Sequence, residues 1–260
     1  MYLAKRRFLL VLIAACLLTV GFVLTADQAN AEYRINPYWY RIIGGRPNYD
    51  VIVVNRIREK ESPVYSSFLS IPVIYGVNDR DLYEQLNRMF YEGIIHFDHE
   101  IESNTHKYLE RMAVPPGQIP KYITEVDYQV NYNSGGILSL TVSFSHYLEK
   151  HQQSRFMETV NIDLTTGRII EFADLFTTEQ ERGVLLRAIN QQIKANPSAY
   201  FVSEISAQDL SNIQSFYITE NHIIVYFDLN VIGPYTTGIP EFGLELSTAV
   251  NEIRQYYEGQ

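Results

Sequence analysis

Phe216 to Leu246 reads FYITENHIIVYFDLNVIGPYTTGIPEFGLEL. Two short apolar runs, each rich in β-branched and aromatic residues, flank a Glu220-Asn221 turn, which predicts a strand pair. The loop that follows, Gly233-Pro234-Tyr235-Thr236-Thr237-Gly238-Ile239-Pro240, concentrates residues that fix or free the backbone and leads into Phe242.

Working towards the amino terminus, Thr178 opens a predicted helix that runs to about Asn196, where Pro197 stops it. Leu185, Leu186, Ile189 and Ile193 give this helix its apolar stripe. Before it comes a meander. Val126, Tyr128, Val130 and Tyr132 share one face of a strand, Asn133-Ser134-Gly135-Gly136 supplies positive-φ turn residues, and Leu138, Leu140, Val142 and Phe144 mark the next strand. Phe156, Val160, Ile162 and Leu164 mark a third, ended by Thr165-Thr166-Gly167, and Arg168 to Phe172 reads as a short fourth. Further back, Tyr49 to Arg58 and Val64 to Tyr75 predict two strands. Asn78 or Asp79 caps a long helix whose stripe is Leu82, Leu86, Met89, Phe90, Gly93, Ile94 and Phe97. Thr248 to Tyr257 predicts a closing helix. Strands in runs with few helices between them predict an α+β fold, with antiparallel sheets packed against a few helices.

The amino terminus sets the expected compartment. Lys5, Arg6 and Arg7 precede an uncharged apolar run from Phe8 to Ala26, and Ala29-Asn30-Ala31 offers small residues to a signal peptidase. The expected mature start is Glu32, with an uncleaved anchor as the alternative, because the run approaches the ~20 residues that span a bilayer. Either way the basic end stays inside and the rest is extracytoplasmic. Cys16 is the single cysteine, so a mature chain from Glu32 carries no disulfide and no Cys-based zinc site. The net charge of −9 becomes −11 once Lys5, Arg6, Arg7 and Asp27 are removed. That balance excludes nucleic acid as a partner and attracts cationic ones. The expected organisation is an export segment at 1–31, an irregular arm at 32–48, an amino-terminal α+β sub-domain at 49–117 and a carboxy-terminal one at 118–260. Pro115-Pro116-Gly117 marks the boundary between the last two. Tyr38-Trp39-Tyr40 in the arm is expected to pack onto the domain.

Several stretches in one order resemble a known family. They are Ile71-Pro72-Val73-Ile74 before the capped helix, Asn87 within it, and Tyr128 to Ser134 followed by Leu138-Ser139-Leu140. Asn161-x-Asp163-x-x-Thr166-Gly167 with Asp174-Leu175-Phe176 comes next, and the closing motif at Phe216 to Leu246 ends the series. Together they resemble the extracytoplasmic domain of RsiV-type anti-sigma factors, which also lies ahead of the catalytic domain in PdaC-like peptidoglycan deacetylases. The resemblance implies a non-catalytic binding or sensor domain at the bacterial cell envelope. Its ligand would be a wall glycan or a cationic protein such as lysozyme. The chain departs from the family where a Gly-Gly-Ala-His-Gly turn usually follows the position of Tyr147. Here Leu148 to Arg155 holds no glycine. The expected binding residues are Tyr147, Lys150, His151 and Arg155 on this loop, with Pro234, Tyr235 and Gly238 on the closing motif. No cofactor, metal or catalytic residue is expected. His96, His99 and Glu100 have i, i+3, i+4 spacing but read as a solvated helix face without a H-E-x-x-H motif. The competing expectation is a wall-metabolism enzyme, hydrolase- or deacetylase-like, with His146 or His151 as acid/base.

Overall fold

Gly135 and Gly136 both take positive φ (61° and 72°). That conformation closes a two-residue hairpin between β3 (Tyr122–Ser134) and β4 (Ile137–Leu148). In the computed structural model, which describes residues 36–42, 50–112, 121–148, 154–211 and 214–258, the hairpin belongs to a five-stranded sheet. Its order is β1 (Ile52–Glu61), β2 (Tyr65–Tyr75), β3, β4 and β5 (Ser154–Asp163). A second sheet of three strands is ordered β6 (Phe216–Ile218), β7 (His222–Tyr226), β8 (Glu241–Glu245). The chain is α+β. It forms two compact units, and β3, β4 and β5 each give residues to both. The expected boundary at Pro115-Pro116-Gly117 and the expected export segment lie outside the described residues.

The first unit comprises Val51–Tyr128 and Val142–Phe156. β1 runs three residues past its expected end because its pairing with β2 continues through Lys60 with Ser67 and Glu61 with Ser66, and the chain turns at Ser62, whose N–H donates to the Tyr65 carbonyl (2.7 Å). α2 (Arg80–Met112) begins where Asp79 accepts from the Leu82 N–H (2.9 Å), so Asp79 supplies the cap. Its stripe is buried at Leu86, Met89, Phe90, Gly93 and Ile94 and continues through Asp98, Ile101 and Thr105. Asn87 fixes the helix to β2: its amide donates to the Ile74 carbonyl (2.9 Å) and accepts from the Ile74 N–H (2.7 Å). Because this long helix carries the chain back to the start of the sheet, β3 runs parallel to β2, pairing Tyr65 with Tyr122 through Leu69 with Val126. The sheet is therefore mixed, not purely antiparallel. Phe144 stacks on Phe156 (centroids 4.8 Å), and Phe97 of α2 meets both edge-on.

The second unit takes its described residues from 29–50, with Gln129–Thr141 and 157–258. α4 (Glu179–Ala195) starts in a capping box in which Thr178 accepts from the Glu181 N–H and Glu181 reaches back to Thr178. It buries Val184, Leu185, Ile189 and Ile193 among Phe172, Phe176, Ile218, Ile223, Phe242 and Leu244. α5 (Leu246–Glu258) follows β8 directly, and Arg187 pairs with Glu252 (2.6 Å).

Two expectations fail here. Arg168 to Phe172 is not a strand: only an isolated bridge between Ile162 and Ile169 forms. Glu171 instead caps a short helix, α3 (Phe172–Leu175), and its N–H donates to Asp174 (2.8 Å). The arm at 32–48 is not wholly irregular, since Pro37–Ile42 forms α1. Trp39 is buried, as its expected packing requires.

Candidate functional site

Asn161, Asp163 and Leu175, which belong to the motifs that carry the family resemblance, turn inward. Asn161 donates to the Phe216 carbonyl (3.0 Å) and accepts from the Ser139 hydroxyl (2.6 Å), whose oxygen in turn accepts from the Ile218 N–H (3.0 Å). Asp163 holds Arg41 in a two-pronged ion pair (2.8 and 2.9 Å) and accepts from the Thr165 N–H and hydroxyl. Burial alone would raise the Asp163 carboxyl, but the bonds from Arg41 and Thr165 overcome it and bring the group down to about 2. Gly167 takes φ 74°, which a side chain would strain. The Leu175 carbonyl accepts the Trp39 indole N–H (2.8 Å). These contacts hold the second unit together.

The exposed chemistry of that unit lies on two loops. Pro197 ends α4, and Pro197–Ala199 forms a single tight turn. The Tyr200 ring turns in against Phe242 (5.5 Å), so the next residue, Phe201, points out. The second loop begins beyond β7, where Val231 donates to the Asp228 carbonyl (3.2 Å) and Asn230 takes φ 61°, a conformation asparagine tolerates better than most residues. Three contacts tie the loops. Phe201 N–H donates to the Ile232 carbonyl (2.8 Å), and the Thr237 hydroxyl donates to the Ala199 carbonyl (3.1 Å). Gly233 packs so closely that a Cβ there would lie 2.7 Å from the Ala199 oxygen. Pro234 leads into the turn Tyr235–Thr237, which closes as Gly238 N–H donates to the Tyr235 carbonyl at φ 82°. Phe201 (62% exposed), Val231 (57%) and Tyr235 (48%) thus stand exposed on two loops whose backbones are tied to each other.

Gly233→Ala should therefore cost about 1–3 kcal/mol through the clash with backbone, since no flexible side chain can yield. Faster amide exchange at Phe201 in this variant, with a lowered urea midpoint, would check that the loops separate.

Of the expected binding residues, Pro234, Tyr235 and Gly238 come together in this turn. Tyr147 and Arg155 lie in the first unit, on β4 and β5. Tyr147 donates to Glu125 (2.9 Å), and its partial burial, with that acidic neighbour, raises the phenol. Lys150 and His151 lie outside the described residues. Phe201 and Val231 carried no signal in the sequence beyond single apolar residues near Pro197 and Gly233. Among the described residues no group of three or more His, Cys, Asp or Glu is placed to hold a metal ion. No described helix is long and apolar enough to cross a membrane.

Residues 58–148 match a family model described as Deacetylase PdaC. Residues 173–247 match one described as Protein of unknown function (DUF3298). Fold and matches together define an α+β chain similar to PdaC in its first part and to DUF3298 in its second. A DUF3298-family structure from Bacteroides fragilis shares the fold at TM-score 0.55 and 15% identity, covering 78% of this chain and 93% of its own. Another, from Pseudomonas aeruginosa, gives TM-score 0.48 and 12% identity, over 81% and 95%. No curated protein matches the sequence.

Proposed function

We propose that this chain is an exported, non-catalytic binding domain of the RsiV type at the bacterial cell envelope, and that its second unit takes a wall glycan on the loops bearing Phe201, Val231 and Tyr235. The observation that carries this reading is the exposure of these side chains on a backbone pinned by Gly233, Thr237 and Gly238. Aromatic rings held in place present flat apolar faces that stack on sugars at small entropic cost. The net charge of −9 supports a second ligand class, a cationic protein such as lysozyme.

The test is co-sedimentation of the secreted chain with purified peptidoglycan and, separately, pull-down of lysozyme, each followed by product analysis. Wild type binds without turnover. Phe201→Ala with Tyr235→Ala should weaken glycan binding about tenfold or more, as loss of central aromatic contacts does, with the circular dichroism spectrum unchanged. Released muropeptides or acetate would replace this reading with that of a wall-metabolism enzyme using His146 or His151. Mass spectrometry of the native amino terminus separates a start at Glu32 from a retained anchor.

A further inference from the structure

We infer that the outer edge of β1 docks an extended, acidic polypeptide segment, which joins the five-stranded sheet as a further strand. β1 ends the strand order and spans ten residues. In an antiparallel pair every second residue turns its N–H and C=O away from the partner strand, so this edge, which no other strand among the described residues joins, offers a row of donors and acceptors. Every residue of β1 except Val53 is exposed, including Ile52, Val54 and Ile57. Extended peptides add to such edges through main-chain bonds and take their specificity from alternate side chains.

Charge decides the occupant. Arg56, Arg58 and Lys60 lie on one face of the strand. Lys60 is paired with Glu102. Arg56 and Arg58 converge on the Tyr91 ring (6.0 and 5.8 Å), and Arg58 also donates to its hydroxyl. Neither guanidinium meets a carboxylate among the described residues. Two uncompensated cations at a sheet edge, in a chain of net charge −9, select a partner with carboxylates at alternate positions. A second copy is a poor fit. When two β1 strands pair antiparallel in one continuous sheet, residues of like parity oppose each other. Every central register then sets Arg56, Arg58 or Lys60 against another of these cations, and leaves Glu59 and Glu61 opposite a glutamate, Asn55 or an apolar residue, never a cation. The edge thus rejects its own kind and accepts an acidic strand. These residues all belong to the first unit, and the inference stands whether or not the loops of the second unit bind glycan.

The probe is a fluorescent heptapeptide of alternating glutamate and β-branched residues, titrated into the full chain by anisotropy, with amide exchange followed over Ile52–Glu61. The glutamate peptide should bind and slow exchange in β1. The Arg56→Gln, Arg58→Gln double variant should lose about tenfold in affinity, the order expected for two exposed charge contacts. A peptide with lysine in place of glutamate should not bind, and N-methylation of its alternate amides should abolish binding of the glutamate peptide. Equal binding of the lysine peptide, unchanged β1 exchange, or full binding of the N-methylated peptide would each overturn the inference. So would β1 protection that grows with protein concentration in the absence of peptide, which would assign the edge to a second copy.

Discussion

Trp39→Ala should lower the stability of the chain by about 3–5 kcal/mol, the range for removing a fully buried tryptophan. Trp39 is 1% exposed although it sits in a short helix of only six residues, α1, near the amino terminus. Its ring meets Phe176 edge-on (centroids 5.7 Å), and Phe176 stacks on Phe172 (4.7 Å). The indole N–H closes on the Leu175 carbonyl (2.8 Å). Truncation opens a cavity in this cluster and orphans a buried carbonyl. Trp39→Phe keeps most of the packing and loses the bond, so it should cost roughly 1–3 kcal/mol. Urea unfolding followed by far-ultraviolet circular dichroism checks both. A surface role for the Tyr38-Trp39-Tyr40 stretch predicts changes within about 0.5 kcal/mol for either variant, so the size of the effect decides between packing and partner contact.

The elements legible in the sequence are those whose signal is local. The long helix α2 shows its stripe from Leu82 to Phe97, buried from Leu86 to Ile94, and a cap at Asn78 or Asp79, of which the structure uses Asp79; α4 shows Leu185, Ile189 and Ile193 behind Thr178. The hairpin at Gly135-Gly136 is legible because nothing but positive φ explains two glycines between alternating strands. β8 is not legible: it spans five residues, and Gly243 interrupts its apolar pattern. A Cβ at Gly243 would lie 3.3 Å from Cδ2 of the His222 ring and 3.4 Å from the Ile224 side chain, a tight fit. The parallel pairing of β2 with β3 is likewise hidden, since it depends on how far α2 carries the chain. In the candidate site, Pro234, Tyr235 and Gly238 announce themselves by turn chemistry. Phe201 joins the closing loop only through its bond to the Ile232 carbonyl, across thirty-one residues of chain. The roles of Asn161 and Asp163 are hidden for the same reason: a motif can mark a family while its side chains serve the fold.

Asp163→Ala should cost about 3–5 kcal/mol, as large as the loss at Trp39, because it strands the Arg41 guanidinium in a site where the Asp163 side chain is 4% exposed and that of Arg41 13%. Arg41 does more than balance a charge. Its Nε donates to the Gly135 carbonyl (3.2 Å) and an Nη to the Gly136 carbonyl (2.8 Å), and the Leu164 N–H donates to the same Gly136 oxygen (2.8 Å). The pair therefore locks α1, the hairpin turn and the end of β5 at one point, and its removal should loosen all three. The carboxyl also sets a pH dependence. Held at about 2 against a usual value of 3.8, Asp163 is a group whose folded pKa is depressed. Its contribution is fully present above about pH 4 and is lost as pH falls through 2. A gap of nearly two units corresponds to roughly 2 kcal/mol at neutral pH. Urea titrations between pH 7 and pH 2 should show a decline in wild type below pH 4 that is shallower by about this amount in Asp163→Asn, whose amide does not titrate. The Arg41→Met variant should flatten the same part of the curve, because without the guanidinium burial pushes the carboxyl upward. If wild type and both variants fall in parallel across this window, the ion pair is not what holds the three segments together.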